Sequence, residues 1–194
     1  MLPTVILVFS GKRKSGKDYV TDIIQSKLTD EMCAIMRLSA PLKKQYALEH
    51  DLDFDKLLDA SEYKERYRRE MIVWGEEKRN ADPGFFCRHA TSGDDAKKPV
   101  WIISDARRKT DIAYFKDVYP DATRTVRVVA DEEMRTKRGF VFTAGVDDAE
   151  SECGLDDVKV WDFIITNNDD SDVLNNHITI VTDFVNSKLG VALL

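Results

Sequence analysis

The sequence predicts an α/β fold, a five-stranded parallel sheet flanked by helices. Three observations carry this. Five short apolar runs recur along the chain, mostly rich in β-branched residues and without polar alternation, as in strands buried on both faces. Helical patterns separate the runs, so consecutive strands connect by right-handed crossovers. A glycine-rich loop lies between the first run and the first helical pattern, where α/β proteins gather backbone N–H groups around an anion.

The runs are Thr4–Ser10, Cys33–Ser39, Val100–Asp105, Thr125–Ala130 and Trp161–Thr166. Helices are expected at Lys17–Leu28 after strand one, and at Pro41–His50 and Ser61–Asn80 after strand two. Pro83–Ala90 precedes strand three, Arg107–Tyr119 follows it, Glu132–Arg138 follows strand four, and Asp170–Leu189 follows strand five. Gly93–Lys98 reads as a polar surface loop. Two stretches exceed what a crossover needs, about 40–95 and about 131–160. They are expected to be a binding insert and a lid, both mobile, on a single domain of residues 1–194.

The chain has 194 residues, 43% hydrophobic and 33% charged, enough to bury a core and unlike a disordered or disulfide-framed chain. Val5–Phe9 is too short to span a bilayer and lacks the basic flank of a signal peptide. Cys33, Cys87 and Cys153 are scattered without metal-ligand spacing and read as reduced thiols in the cytosol. A net charge of −6 argues against a nucleic-acid binder. No membrane partner is expected, and a monomer is. The positive charge is clustered at Lys12, Arg13, Lys14 and Lys17, at Arg107, Arg108 and Lys109, and at Arg135, Lys137 and Arg138. Tight basic groups in an acidic protein suggest a small, highly anionic ligand.

The strongest motif is Gly11-Lys12-Arg13-Lys14-Ser15-Gly16-Lys17-Asp18. It stands between a strand and a helix, as a Walker A loop must. Its backbone N–H groups and the helix N-terminus would cradle phosphates, and Lys17 would reach the β- and γ-phosphates. Asp18 replaces the usual Ser or Thr. It either ligates Mg²⁺, directly or through water, or caps the helix.

Asp105 ends the third run, at the carboxyl end of a strand where ligands bind in open parallel sheets. It would hold Mg²⁺ through water or cap a helix. Arg107 and Arg108 follow at once and suit bidentate phosphate contacts. Arg135 and Arg138, three apart, share a helix face and look like lid arginines that stabilise charge on a transferring phosphoryl group. Lys43, Lys64, Arg68, Arg79 and Arg88 in the first insert are candidates for an acceptor's phosphate and carboxylate. Tyr63, Tyr67, Met71 and Trp74 have the spacing of a helix core face. His50, His89 and His177 lie apart from any nucleophile. An acceptor that is already a phosphate has a second pKa of about 6 and needs no such base. The acidic run Asp147–Glu152 either pairs with the lid arginines or is a solvated loop.

Several stretches then resemble the animal-type phosphomevalonate kinases. They are residues 9–18 (Phe-Ser-Gly-Lys-Arg-Lys-Ser-Gly-Lys-Asp), 74–79 (Trp-Gly-Glu-Glu-Lys-Arg), 81–88 (Ala-Asp-Pro-Gly-Phe-Phe-Cys-Arg), 126–129 (Val-Arg-Val-Val) and 145–155, over nearly the whole chain. Asp18 belongs to that pattern, and Ala144 stands where Pro is expected. The resemblance implies a P-loop, nucleoside-monophosphate-kinase-like fold and transfer from MgATP to 5-phosphomevalonate. It implies ATP contacts from Lys12 to Asp18 and from Arg138, Asn167 and Asn168. It implies acceptor-side or catalytic charge at Lys43, Lys64, Arg68, Arg79, Arg88, Arg107 and Arg108. A nucleoside monophosphate acceptor on the same fold, or a nucleotide-binding module without turnover, are the competing readings. Ser187-Lys188-Leu189 resembles a peroxisomal address, but Gly190–Leu194 follow it, so the cytosol is expected.

Overall fold

The computed structural model describes residues 2–58 and 62–190, without the side chain of Lys64. Five strands form one parallel sheet: β1 (Val5–Ser10), β2 (Cys33–Met36), β3 (Val100–Ile103), β4 (Thr123–Val129) and β5 (Phe163–Thr166), in the order β2-β3-β1-β4-β5. Every residue of β1 is buried, as its unbroken apolar run requires of a central strand. The register pairs Val5 with Val100 and Ser10 with Arg127. Chain order reverses beside β1, so a crevice opens beyond its carboxyl end.

Helices cover both faces. On one, α1 (Lys17–Leu28) and α9 (Ser171–Leu189) bury Val20, Ile24, Ile178 and Val185 against Leu7, Phe9 and Ile165. On the other, α5 (Phe85–Ala90) and α6 (Lys109–Val118) bring Cys87 and Phe115 onto Ile6, Val8 and Ile103. A third cluster sits inside the first insert, where Met71 and Trp74 of α4 (Glu62–Ala81) pack with Tyr46 of α2 (Ser39–Glu49) and with Phe86. Tyr63 and Tyr67 lean on it, so the aromatic stripe is core.

The boundaries differ from the sequence reading for local reasons. β2 and β3 end at Met36 and Ile103 rather than Ser39 and Asp105. The Asp105 carboxylate accepts the N–H groups of Leu38 (2.6 Å) and Ser39 (3.1 Å), which starts α2 two residues before Pro41. Proline is harmless there because first-turn N–H groups have no helical partner. α6 starts at Lys109, not Arg107, because Arg108 is extended and Asp111 accepts its N–H. Two short helices were not anticipated, α3 (Phe54–Leu58) and α8 (Glu150–Cys153). The expected loop at Gly93–Lys98 carries a 3₁₀ turn over Asp94–Lys97. The helix α7 (Glu132–Lys137) stops one residue short, leaving Arg138 as its C-cap. Among the described residues, no helix is long and apolar enough to cross a membrane.

Candidate active site

The loop between β1 and α1 is shaped by its glycines. Gly16 has φ +82°, and a Cβ there would lie 2.2 Å from the side-chain nitrogen of Asn167. Glycine avoids both problems. The Oγ of Ser15 is buried without a hydrogen-bond partner among the described residues. An orphaned polar atom in a loop of this geometry fits a phosphate oxygen. Lys17 pairs with Asp18 at 2.5 Å. Burial alone would raise the Asp18 pKa, but the Lys17 hydrogen bond and the charges of Lys17, Arg37 and Arg107 outweigh it, so it lies below the usual carboxylate value. An exposed carboxylate held ionised beside a phosphate loop fits a hard cation. Among the described residues no cluster of three or more His, Cys, Asp or Glu forms a metal cage.

Arg138 joins three parts of the site. It donates to the carbonyls of Ser15 (3.2 Å) and Asn167 (3.0 Å) and to the Asp169 carboxylate (2.9 Å). Asn167, buried after β5, donates to the Ser15 carbonyl at 2.8 Å. Gly16, Tyr19, Arg138, Asn167 and Leu174 line an open cavity of about 490 Å³ beside the loop. Asn168 instead exchanges hydrogen bonds with Asp131 (2.6 and 2.9 Å), tying the exit of β5 to the start of α7. Arg135 reaches the loop through its Nε, which donates to the Arg13 carbonyl at 2.8 Å.

On the other side of the loop, Lys43, Arg68, Arg79, Asp105, Arg107 and Arg108 share one cavity of about 260 Å³ with Leu42, Met71 and Ile72. Five of the cations singled out in sequence thus converge. Among the described residues the Nε atoms of Arg79 and Arg108 are buried without a hydrogen-bond partner, while another nitrogen of Arg108 pairs with Glu76. Burial, then the charge of Arg108, lowers the pKa of the Arg79 guanidinium. Arg88 lies outside this cavity and pairs with Asp82. The side chain of Lys64 lies outside the described residues.

The acidic run is paired, but with Arg13 and Arg107 instead of the lid pair. Asp147 accepts from Arg13 at 2.8 Å, and Glu152 pairs with Arg107. Asp156 accepts from Lys12 (2.5 Å) and from Arg127 (3.2 Å). No histidine lines the 260 Å³ cavity. His50 lies tilted against Tyr46 and His89 against Phe85, and His177 Nδ1 accepts the Thr166 N–H at 3.0 Å. Burial pushes the Cys33 thiol up to about 12, so it is inert at neutral pH.

Sequence reasoning missed two residues. Arg127 lies in β4 opposite Ser10 and donates to its hydroxyl at 2.8 Å. An arginine inside a β-branched strand was the available signal. Asp111, 2% exposed, accepts the N–H groups of Arg107 (2.9 Å) and Arg108 (3.0 Å) and so presents both side chains. The raised pKa of Asp111 comes from its burial, which outweighs those two bonds and the neighbouring arginines.

Known proteins fit this picture. The structure of shikimate kinase from Bacteroides thetaiotaomicron is similar at a TM-score of 0.51 and 11% identity, covering 93% of this chain and 98% of that one. TT1252 from Thermus thermophilus is similar at 0.55 and 14%, covering 95% and 99%. At these identities the likeness is one of fold. A phosphomevalonate kinase of Drosophila melanogaster is 43% identical over 171 residues, 86% of this chain and 90% of the relative. Residues 9–121 match the phosphomevalonate kinase family. With residues 9–121 matching the family and a relative 43% identical along most of its length, the chain belongs to the phosphomevalonate kinase family.

Proposed function

We propose that this chain transfers the γ-phosphoryl group of ATP to the phosphate of 5-phosphomevalonate, giving 5-diphosphomevalonate and ADP in the mevalonate route to isoprenoids. The observation that carries this is the cavity where Arg79, Arg107 and Arg108 converge, with two guanidinium Nε atoms that are buried and have no partner among the described residues. Such donors leave a large penalty unless an anion meets them. Leu42, Met71 and Ile72 on the same wall suit a short branched carbon chain.

The chemistry is electrostatic. Two phosphates must meet, and their repulsion is strong at low effective dielectric. Arg107 and Arg108 would screen the acceptor phosphate, while Arg68 and Lys43 would meet its carboxylate. Lys17 and the N–H groups of residues 12–18 hold the β- and γ-phosphates. Arg135 and Arg138 neutralise charge that spreads over the transferred group. Mg²⁺ supplies further charge neutralisation at the phosphates. Asp18 would hold it, and Asp105, which already accepts two backbone N–H groups, would meet it through water. Residues about 40–95 form the acceptor side and residues about 131–160 the lid of one kinase domain.

A coupled ADP-release assay with 5-phosphomevalonate, mevalonate, AMP and UMP tests this. Turnover at least a hundredfold better with 5-phosphomevalonate is expected, on the order of 3 kcal/mol of discrimination. Preference for AMP or UMP would replace the acceptor assignment with a nucleoside monophosphate.

A further inference from the structure

Arg135 carries a long flexible side chain on a six-residue helix. A group that must meet the transferring phosphate in one orientation needs something to hold it. Its guanidinium carbon lies 3.9 Å from the centroid of the Phe140 ring. The Arg13 guanidinium approaches the same ring at 5.8 Å. Phe140 is half-buried, whereas Val141 and Phe142 beside it are 72% and 60% exposed. The backbone sets the ring in place. Gly139 turns at φ +78° and the Phe140 N–H donates back to the Arg135 carbonyl at 2.9 Å.

We propose that Phe140 is a positioning residue for the transfer, an aromatic shelf that sets Arg135 of the lid against Arg13 of the phosphate loop. The π-face attracts a stacked guanidinium and limits its rotamers. Arg135 is then fixed at two points, the ring and the Arg13 carbonyl that its Nε meets at 2.8 Å. Arg13 is fixed from its other side by Asp147 at 2.8 Å. The ring thereby couples lid position to loop position, and a side chain of similar bulk without a π-face cannot replace it. The inference rests on the proposed role of Arg135 in phosphoryl transfer.

The test compares Phe140→Leu, Phe140→Ala and Phe140→Trp in the full chain. Leu and Ala should lower kcat with 5-phosphomevalonate roughly 3- to 30-fold, the range of one cation–π contact. Trp should restore it to within about twofold, and KM for the acceptor should stay within about twofold in all three. Leu matching the parent, or a loss confined to acceptor KM, would overturn the inference. A second readout does not need turnover and separates failure here from failure of the proposed function. The Nε–H proton of Arg135, assigned by its loss in Arg135→Lys, should carry an upfield ring-current shift in the parent and in Phe140→Trp. That shift should vanish in Phe140→Leu, and its persistence there would contradict the shelf.

Discussion

The side-chain amide of Asn167 donates to the carbonyl of Ser15 at 2.8 Å across 152 positions of sequence. It is the contact by which the end of β5 holds the phosphate loop in shape. Arg138 binds the same carbonyl and that of Asn167, so the loop, the end of β5 and the C-cap of α7 form one hydrogen-bonded unit.

That unit leaves no room at Gly16. A methyl group would meet the Asn167 nitrogen at 2.2 Å, and φ +82° is unfavourable for any L side chain. Gly16→Ala is expected to lose at least a hundredfold in kcat/KM, from strain of roughly 1–3 kcal/mol plus the displaced amide. Gly93→Ala, where a Cβ meets open space, should be silent. Steady-state kinetics on both variants checks the contrast.

Lys17→Met is expected to lower turnover roughly 10²–10³-fold, about 3–4 kcal/mol, without unfolding the chain. Among the described residues the ion pair of this side chain is with the exposed Asp18 carboxylate, so the substitution removes charge. Circular dichroism beside kinetics separates the two, and activity within about threefold of the parent would remove the loop from the mechanism.

Arg138→Ala should act mainly on kcat, because a lid arginine engages most strongly as charge moves in the transition state. A fall of about tenfold or more is expected, with KM for ATP changed less than about threefold. A large rise in that KM at constant kcat would assign Arg138 to ground-state binding.

Away from the site, the Asp162 carboxylate accepts the N–H (2.8 Å) and hydroxyl (2.7 Å) of Thr125 and so joins β4 to the start of β5. Burial would raise its pKa, but these two bonds and the charges of Lys116 and Arg124 outweigh it and hold the carboxylate below its usual value. A depressed carboxylate stabilises the fold above its unfolded pKa and loses that contribution as pH falls through the folded value. Asp162→Asn should therefore cost about 1 kcal/mol or less at pH 7, since the residue is exposed and screened. The difference from the parent in urea unfolding should close below pH 4, while turnover at pH 7 stays unchanged.

The sheet and its crossovers were legible because β1, β3 and β4 are apolar runs long enough to stand out, and α1 matched at both ends. The loop between β1 and α1 was legible as a motif, and five cations singled out in sequence do share one cavity beside it. What escaped depends on partners distant in sequence. Asp105 ends β3 early by capping α2, a contact spanning 67 positions. Arg127 becomes part of the site only because β4 runs beside β1. The short helices α3 and α8 have too few residues to show a period. Arg88 and Asn168 had the right residue type but turn to Asp82 and Asp131.

The central claim is that one phosphate is added to another. ³¹P NMR of the reaction of ATP with 5-phosphomevalonate observes this bond directly. The account predicts loss of the acceptor's phosphomonoester resonance and growth of two coupled diphosphate doublets alongside those of ADP, in equal amounts. Release of inorganic phosphate with the phosphomonoester resonance intact would contradict it.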